Sequence, residues 1–203
     1  MAPEPTLVTV LRHGQVAGRA HVYRGVLDDP MTEAGTARVR EVAERLARPG
    51  YDRVATSPRR RCRTFAAEYA GQRGCPLAVL DAMAEMGFGA WEGLTPAEAT
   101  LSDPAQHELF RTSAGRVPPP GGESVAELRQ RVSRGWEAWL ADARGGHRLL
   151  VTHAGVMRAL LMELVGLEPA HVYRIALPEA AHFQVSVLPG EAPVLLNLNS
   201  CAA

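Results

Sequence analysis

Two histidines in this 203-residue chain each follow a short, mostly apolar stretch of sequence. His13 follows Arg12 and residues 6–11, and His153 follows residues 149–152. A histidine at the end of a strand can act as a nucleophile, a base or a metal ligand. The planar guanidinium of Arg12 matches the oxygens of a phosphate group. Either histidine alone is more simply explained as a structural residue, but two of them at two strand ends favour a functional site.

Two further segments carry charged groups that suit chemistry on an anion. Arg59, Arg60 and Arg61 lie in the predicted first turn of a helix, where positive charge opposes the helix dipole. An arginine directed into the site would offset this unfavourable placement by binding an anion, while its neighbours stay solvated. Glu85 and Glu92 lie in a glycine-rich loop with two aromatic residues, and a carboxylic acid there can protonate a leaving oxygen. The alternative for each segment is a solvated surface.

Metal binding is the competing explanation for two histidines near acidic residues. The sequence has no His-x-x-x-His or Cys-x-x-Cys spacing to support a metal site, and the arginines would repel a cation. It also has no Gly-x-Ser-x-Gly motif, so a serine nucleophile is not indicated. Cys62, Cys75 and Cys201 are an odd number at no metal spacing, which predicts free thiols in a reducing cytoplasm.

The composition is that of an ordinary globular protein, with 46% hydrophobic and 22% charged residues. The length predicts one domain with a full core. A formal net charge of zero gives no indication of nucleic acid or an anionic membrane as a partner. No apolar run approaches a membrane span, and no signal peptide is predicted. The expected partner is a small molecule, and exposed strands near the C-terminus could pair in a homodimer.

Strand-like and helix-like segments alternate, which predicts an α/β fold with a largely parallel sheet. The predicted strands cover residues 6–11, 53–56, 77–80, 148–152, 172–176, 183–188 and 194–198. The predicted helices cover residues 32–47, 58–70, a short stretch from 103, 124–143 and 154–165. Thr32 is expected to cap the first helix, and Ser57-Pro58 to supply the N-cap and first position of the second. Ligands bind at the carboxyl edge of such a sheet, so both histidines should lie there.

Five segments, in this order, resemble motifs of the histidine phosphatase superfamily, which has the phosphoglycerate mutase-like fold. They are Arg12-His13-Gly14, Ser57 to Cys62, Glu85 to Gly93, Gly121 to Ser124 and Val151-Thr152-His153. Residues 23–35 also resemble the loop and helix start that follow the first motif. The resemblance covers nearly the whole chain. It implies a single histidine phosphatase domain over residues 1–203, built as a three-layer α/β/α sandwich around a largely parallel, mixed sheet.

The resemblance also implies a role for each catalytic residue. His13 would attack the phosphoryl group and carry it as a phosphohistidine, while Glu85 protonates the departing oxygen and then helps water attack. Arg12, Arg61 and His153 would hold the equatorial oxygens and stabilise charge during transfer. His13 must be neutral to attack, and the positive charge around it disfavours its protonation. No metal or other cofactor is required.

Further substrate contacts are implied for Gln15 and for Ala154, whose backbone N–H would lie at the start of a helix. Val16 stands where the superfamily usually has serine or threonine, which removes a hydroxyl donor to the phosphate. Residues 16–23 and 94–117 are expected to cover the pocket. They would therefore select the leaving group.

The activity implied is that of a metal-independent phosphomonoesterase, a histidine-type acid phosphatase acting on a small phosphorylated metabolite. Residues 60–62, the loop from Glu85 to Glu92 and the ending Leu196 to Ser200 resemble those of α-ribazole phosphatases, which dephosphorylate α-ribazole 5′-phosphate in cobalamin synthesis. A phosphoglycerate mutase-type phosphoryl transferase is one alternative, although the short segment between Gly93 and Gly121 is unlike the larger mutases. A phosphoprotein-binding module without turnover is another.

Overall fold

The computed structural model describes residues 4–199, which form a six-stranded mixed sheet covered by helices. The strands are β1 (Thr6–Arg12), β2 (Arg53–Thr56), β3 (Leu77–Val79), β4 (His147–Thr152), β5 (His182–Val187) and β6 (Val194–Leu198). Their order across the sheet is β3-β2-β4-β1-β5-β6. Strands β1 to β4 run parallel, β5 runs antiparallel to β1, and β6 runs antiparallel to β5. The prediction of a largely parallel, mixed sheet is confirmed.

Helices cover both faces of this sheet. They are α1 (Glu33–Leu46), α2 (Arg60–Arg73), α3 (Pro96–Ser102), α4 (Pro104–Thr112), α5 (Val125–Leu140), α6 (Ala154–Val165) and α7 (Pro169–Val172). On one face, Phe65 of α2 shares a buried cluster with Leu149 and Val151 of β4. On the other face, Trp136 of α5 shares a cluster with Leu150. Successive residues of β4 point to opposite faces, so the arrangement is the predicted three-layer α/β/α sandwich.

The helix starts near the sheet edge are set by local hydrogen bonds. The Thr32 hydroxyl accepts from the backbone N–H of Gly35, which confirms Thr32 as the cap of α1. Ser124 and Glu127 form a reciprocal capping box at the start of α5. Helix α6 follows β4 with His153 alone between them, in the N-cap position. The free N–H groups of its first turn therefore lie next to His153.

The predicted start of the second helix is wrong. Helix α2 begins at Arg60, with Arg59 in the N-cap position, and Ser57 makes no cap for it. The Ser57 hydroxyl instead lies 2.6 Å from Nε2 of His153. The residue that resembles a helix cap in the sequence is thus a partner of the second histidine.

In the shorter segments, one prediction is wrong and one helix was not predicted. Residues 172–176 were expected to form a strand, but the chain forms helix α7 and then a turn. Pro169 occupies the first turn of α7 and Val172 is buried in the core, so packing overrides the local strand propensity. Helix α3 was not predicted. It begins with a capping box between Thr95 and Glu98, a signal that the sequence does contain.

The remaining predicted elements are confirmed, with shifts at their ends. The helix expected over 124–143 ends at Leu140, and the helix over 154–165 and the strand over 194–198 have their predicted bounds. Cys62 and Cys75 are free thiols, whereas Cys201 lies outside the described residues. Over residues 4–199, no helix has the length and apolar character needed to cross a membrane.

Candidate active site

Three neighbouring parallel strands bring the candidate residues to one edge of the sheet. Strand β4 lies between β1 and β2, and the residues directly after these three strands are His153, His13 and Ser57. The ring centroids of His13 and His153 are 5.3 Å apart. This is the carboxyl edge of the parallel strands, so the expectation that two distant strand ends bring both histidines together is confirmed.

His13 is held as a neutral imidazole with a defined tautomer. Its Nδ1 lies 2.8 Å from the carbonyl oxygen of Gly14, and because a carbonyl only accepts, Nδ1 carries the proton. The lone pair of the ring is therefore on Nε2. Burial, and then the charge of Arg12, lower the pKa of His13 from 6.5 to about 3. The ring is therefore unprotonated at neutral pH, with a free lone pair on Nε2.

His153 is fully buried and has the opposite tautomer. Nε of Arg61 donates to its Nδ1 at 3.2 Å, so its Nε2 carries the proton and donates to the Ser57 hydroxyl at 2.6 Å. Burial and the charge of Arg61 hold the pKa of His153 well below its usual value. Both ring nitrogens are engaged by protein groups, so the ring is fixed in place beside His13.

Arg61 lies behind the histidines and is almost wholly buried. Besides His153, its guanidinium donates to the carbonyl oxygens of Leu27 at 2.6 Å and of Arg24 and Gly25 at 3.1 Å each. Burial lowers the pKa of Arg61. Arg61, the arginine of the motif, thus connects α2 to residues 24–27 by buried hydrogen bonds, and its charge lies close to His153.

Arg12 lines the cavity beside His13. Its Nη1 donates to the carbonyl oxygen of Leu177, and its Nε is buried with no hydrogen-bond partner among residues 4–199. Burial lowers the pKa of Arg12, and the negative charges of Glu85 and Glu179 oppose that shift. A buried guanidinium with an unused donor is suited to an anionic ligand.

The two glutamates of the glycine-rich loop have different surroundings. Glu85 lines the cavity, and its carboxylate accepts from the backbone N–H groups of Met86 at 2.9 Å and Gly155 at 3.1 Å. Glu92 accepts from the backbone N–H groups of residues 25–27 and of Phe88, which ties two loops together. Glu85 is therefore placed for chemistry, and Glu92 is structural.

Gly155 permits the close approach of Glu85 to α6. A Cβ atom on Gly155 would lie 2.1 Å from Oε1 of Glu85, well inside van der Waals contact. Gly14 and Gly35 make a similar approach between two backbones, because a Cβ on Gly14 would lie 2.2 Å from the Gly35 carbonyl oxygen. The loop after His13 thus packs directly on the first turn of α1.

The cavity at this edge has a volume of about 470 Å³. Arg12, His13, Glu85 and Ala154 of the predicted site line it, whereas Arg61 and His153 lie behind its wall. Gln15 is not among the residues that line the cavity, and its exposed side chain accepts from the Thr32 hydroxyl at 3.2 Å. Its contact with a substrate stays a prediction.

Residues 16–23 and 94–117 do contribute to the wall, through Val16, Tyr23 and Phe110 among others, as predicted. Four rings face the cavity, those of Tyr23, Phe88, Phe110 and Tyr173. The hydroxyl of Tyr23 lies 2.9 Å from Nε2 of His107, and the ring packs against Phe88 with centroids 4.8 Å apart. The cavity wall thus combines these aromatic rings with charged side chains.

Arg24, Arg158, Tyr173 and Glu179 also line the cavity and were missed by sequence reasoning. Arg158 could have been found, because it lies one helical turn after Ala154 and so on the same face of α6. Tyr173 had no usable signal, since it falls in the segment predicted as a strand. Within the part of the chain that the structure describes, no three His, Cys, Asp or Glu side chains cluster as metal ligands would.

The fold and the site together define an α/β protein with paired histidines, arginines and a carboxylate at the carboxyl edge of its parallel strands. A family model of the histidine phosphatase superfamily (branch 1) matches residues 8–200. The chain belongs to this superfamily.

Its relatives include phosphatases. A bifunctional protein of Mycobacterium tuberculosis is 34% identical over 179 residues, covering 87% of this chain and 49% of its own. The chain thus spans about half the length of that relative. The adenosylcobalamin/alpha-ribazole phosphatase of Salmonella typhimurium is 27% identical over 194 residues, covering 95% of this chain and 96% of its own. The crystal structure of the alpha-ribazole phosphatase from Shigella flexneri has the same fold, with a TM-score of 0.83, 21% identity and 96% coverage of both chains.

Proposed function

We propose that this protein is a metal-independent phosphomonoesterase, a histidine-type acid phosphatase, that forms a phosphohistidine on His13. The state of His13 carries the proposal. Its Nδ1 proton is engaged by the Gly14 carbonyl, its Nε2 lone pair is available, and it shares a cavity wall with Arg12 and Glu85. This is a nucleophile, a cation and an acid around one space large enough for a phosphate ester.

The reaction takes two steps. In the first, Nε2 of His13 attacks phosphorus, the bond to the ester oxygen breaks, and protonated Glu85 gives its proton to that oxygen. In the second, Glu85 removes a proton from water as the water oxygen attacks phosphorus. The bond from phosphorus to Nε2 then breaks, which releases inorganic phosphate and returns His13 to its starting state.

Charge in the transition state is stabilised by fixed groups. Arg12 and Ala154 line the cavity, so the Arg12 guanidinium and the backbone N–H of Ala154 can contact the phosphoryl oxygens. Arg61 lies directly behind and adds its positive charge, and neutral His153 is held beside it by the Arg61 hydrogen bond. These groups are held by hydrogen bonds and burial, so they need little reorganisation during the reaction.

The substrate is a small phosphorylated metabolite. A cavity of about 470 Å³ exceeds what a phosphate group needs, and its aromatic wall leaves room for a leaving group of several heavy atoms. α-Ribazole 5′-phosphate is one candidate, because the Salmonella relative is named as an adenosylcobalamin/alpha-ribazole phosphatase. A phosphoglycerate mutase-type transfer is the alternative chemistry for the same site.

The test is phosphate release with a chelator present. The panel holds α-ribazole 5′-phosphate, phosphoglycerates, sugar phosphates and an aryl phosphate, with His13→Ala as the inactive control. We expect turnover that survives the chelator and is lost in His13→Ala. Full activity of that variant, or dependence on added metal, contradicts the proposal. Transfer of label between phosphoglycerate positions without phosphate release identifies a mutase, and tight binding without turnover identifies a binding module.

The cysteines, the net charge and the exposed edge strand bear on the location, the partners and the oligomeric state of the protein. We propose a cytoplasmic location, where Cys62 and Cys75 stay reduced, and neither nucleic acid nor membrane as a partner, given the net charge of zero. Edge strand β6 exposes Val194 and Leu196, which supports pairing of two copies as a homodimer. Light scattering on the wild type and Leu196→Lys tests this, and a monomeric wild type contradicts it.

A further inference from the structure

Arg158 is a cation at the cavity wall that the proposed phosphoryl chemistry does not use. It lies one turn into α6, on the helix face that carries Ala154 to the same cavity. Within residues 4–199 the structure records no hydrogen bond or ion pair for its guanidinium, and its Nε is buried without a partner. A partly buried charge with unused donors is unfavourable unless a ligand accepts hydrogen bonds from those donors and balances the charge.

Tyr173 fixes where this charge lies. The guanidinium carbon of Arg158 is 5.2 Å from the centroid of the Tyr173 ring, and both residues line the cavity. A cation over an aromatic ring is attracted to it, and the N–H groups of the guanidinium stay available for other contacts. This contact places the charge of Arg158 at the cavity wall.

Two acids share the cavity with Arg158. Glu85 and Glu179 line it together with Arg12 and Arg158. Among residues 4–199, neither acid makes an ion pair or hydrogen bond with the Arg158 guanidinium, so its donors are open to a ligand. Arg12 and Arg158 also lie close enough to repel one another, which an anion between them would relieve.

We infer that Arg158, in contact with Tyr173, binds an anionic group on the leaving group of the substrate. This inference rests on the proposed function. That group is a carboxylate or a second phosphate, since both match the guanidinium fork. A neutral leaving group would leave Arg158 uncompensated. The substrate class is therefore phosphate monoesters that carry a further negative charge, which places α-ribazole 5′-phosphate outside the preferred set.

Three matched three-carbon esters test this inference. Glycerol 3-phosphate has a neutral leaving group, 3-phosphoglycerate adds a carboxylate, and glycerol 1,3-bisphosphate adds a phosphate. We expect kcat/KM of the wild type to be at least about tenfold higher for one of the two anionic esters, the value for a charge-assisted hydrogen bond. The better of the two identifies the anion.

The variants locate the effect. Arg158→Gln should lose the preference, reducing the ratio to within about twofold of one, and Arg158→Lys should retain part of it because the charge remains. Arg134→Gln removes an equal charge from the exposed face of α5 and should keep the full ratio. A wild type that favours the neutral ester, or an unchanged ratio in Arg158→Gln, overturns the inference.

A binding experiment tests this inference independently of whether the protein is a phosphatase. The same three esters are titrated calorimetrically into His13→Ala and into His13→Ala with Arg158→Gln. A preference for the anionic esters that is lost with Arg158→Gln supports the subsite even if the wild type releases no phosphate. Equal affinities for all three esters refute it even if the wild type is an active phosphatase.

Discussion

Glu123 and Arg131 form a two-bond ion pair beneath the loop that carries Glu85. Nε and Nη2 of Arg131 donate to the two oxygens of Glu123 at 2.6 and 2.7 Å. The same guanidinium donates to the carbonyl oxygens of Ala82 and Ala84 at 2.8 Å each and of Glu85 at 3.2 Å. One arginine of α5 thereby fixes three carbonyls of the chain leading into the acid, so Arg131 is a positioning residue.

The first prediction concerns this arginine. Arg131→Met should lower kcat about tenfold or more for alkyl phosphates and much less for an aryl phosphate, with KM changed little, because a good leaving group depends less on Glu85. The free energy of unfolding should fall by about 3 kcal/mol, since Glu123 loses its partner. Arg129→Met, which removes an exposed and longer contact to Glu163, serves as the control. Equal losses for both phosphate classes would contradict the positioning role.

The second prediction uses the contact between Gly155 and Glu85. Gly155→Ala should displace the Glu85 carboxylate and lower kcat by about tenfold to a hundredfold, the usual contribution of a general acid being at least that large. Alanine suits a helix better than glycine, so the melting temperature should not fall in step with activity. Gly71→Ala in α2, where nothing lies within 4 Å, is the matched control and should retain activity. Normal turnover in Gly155→Ala would count against Glu85.

The third prediction is the protonation state of His13. Because burial and Arg12 lower its pKa to about 3, its ring resonances should not titrate between pH 8 and about pH 5 in the folded protein. In denaturant the same ring should titrate near pH 6.5. His13→Gln assigns the signal in the nuclear magnetic resonance spectrum. A midpoint near 6.5 in the native protein would contradict the prediction, because His13 would then be largely protonated below pH 6.5.

The fourth prediction follows by linkage. Above pH 6.5 the two site histidines are neutral in both states, but below it the unfolded chain binds protons that His13 and His153 in the fold do not. The free energy of unfolding should therefore decrease as pH falls from 6.5 towards 4, by up to about 1.4 kcal/mol per pH unit for each histidine. Denaturant titrations across this range should show a shallower slope for His13→Gln. An identical slope would show that His13 is protonated equally in both states.

The parts of the fold that could be predicted are those where local pattern and tertiary packing agree. Apolar runs that end in a histidine identified β1 and β4, and the bounds of α6 follow from the strand before it and the glycine after it. Ser57 was misassigned because its hydroxyl bonds to His153, a partner 96 residues away in the sequence. Tyr173 was missed because the helix before it depends on the burial of Val172.

The site was predictable as a set of residues but not as an arrangement. Motif spacing identifies Arg61, yet only the structure shows that its donors are committed to backbone carbonyls of residues 24–27 and to His153. Gln15 shows the reverse, since the motif implies a substrate contact and the structure places its side chain on the hydroxyl of Thr32 instead of in the cavity wall. The resemblance assigns the acid role to Glu85, and the structure agrees in one respect: Glu85 lines the cavity, whereas Glu92 joins two loops through their backbone N–H groups.

The pairing of β1 with β4 also bears on how the chain folds. Arg12 is opposite Thr152, so the two histidines meet only after two segments that are far apart in the sequence have paired. Contacts of such high sequence separation form slowly and late, because closing a long loop is entropically unfavourable. The two histidines come together only once the centre of the sheet has closed. During refolding, the return of activity therefore reports completion of the central sheet, whereas helix content should recover earlier.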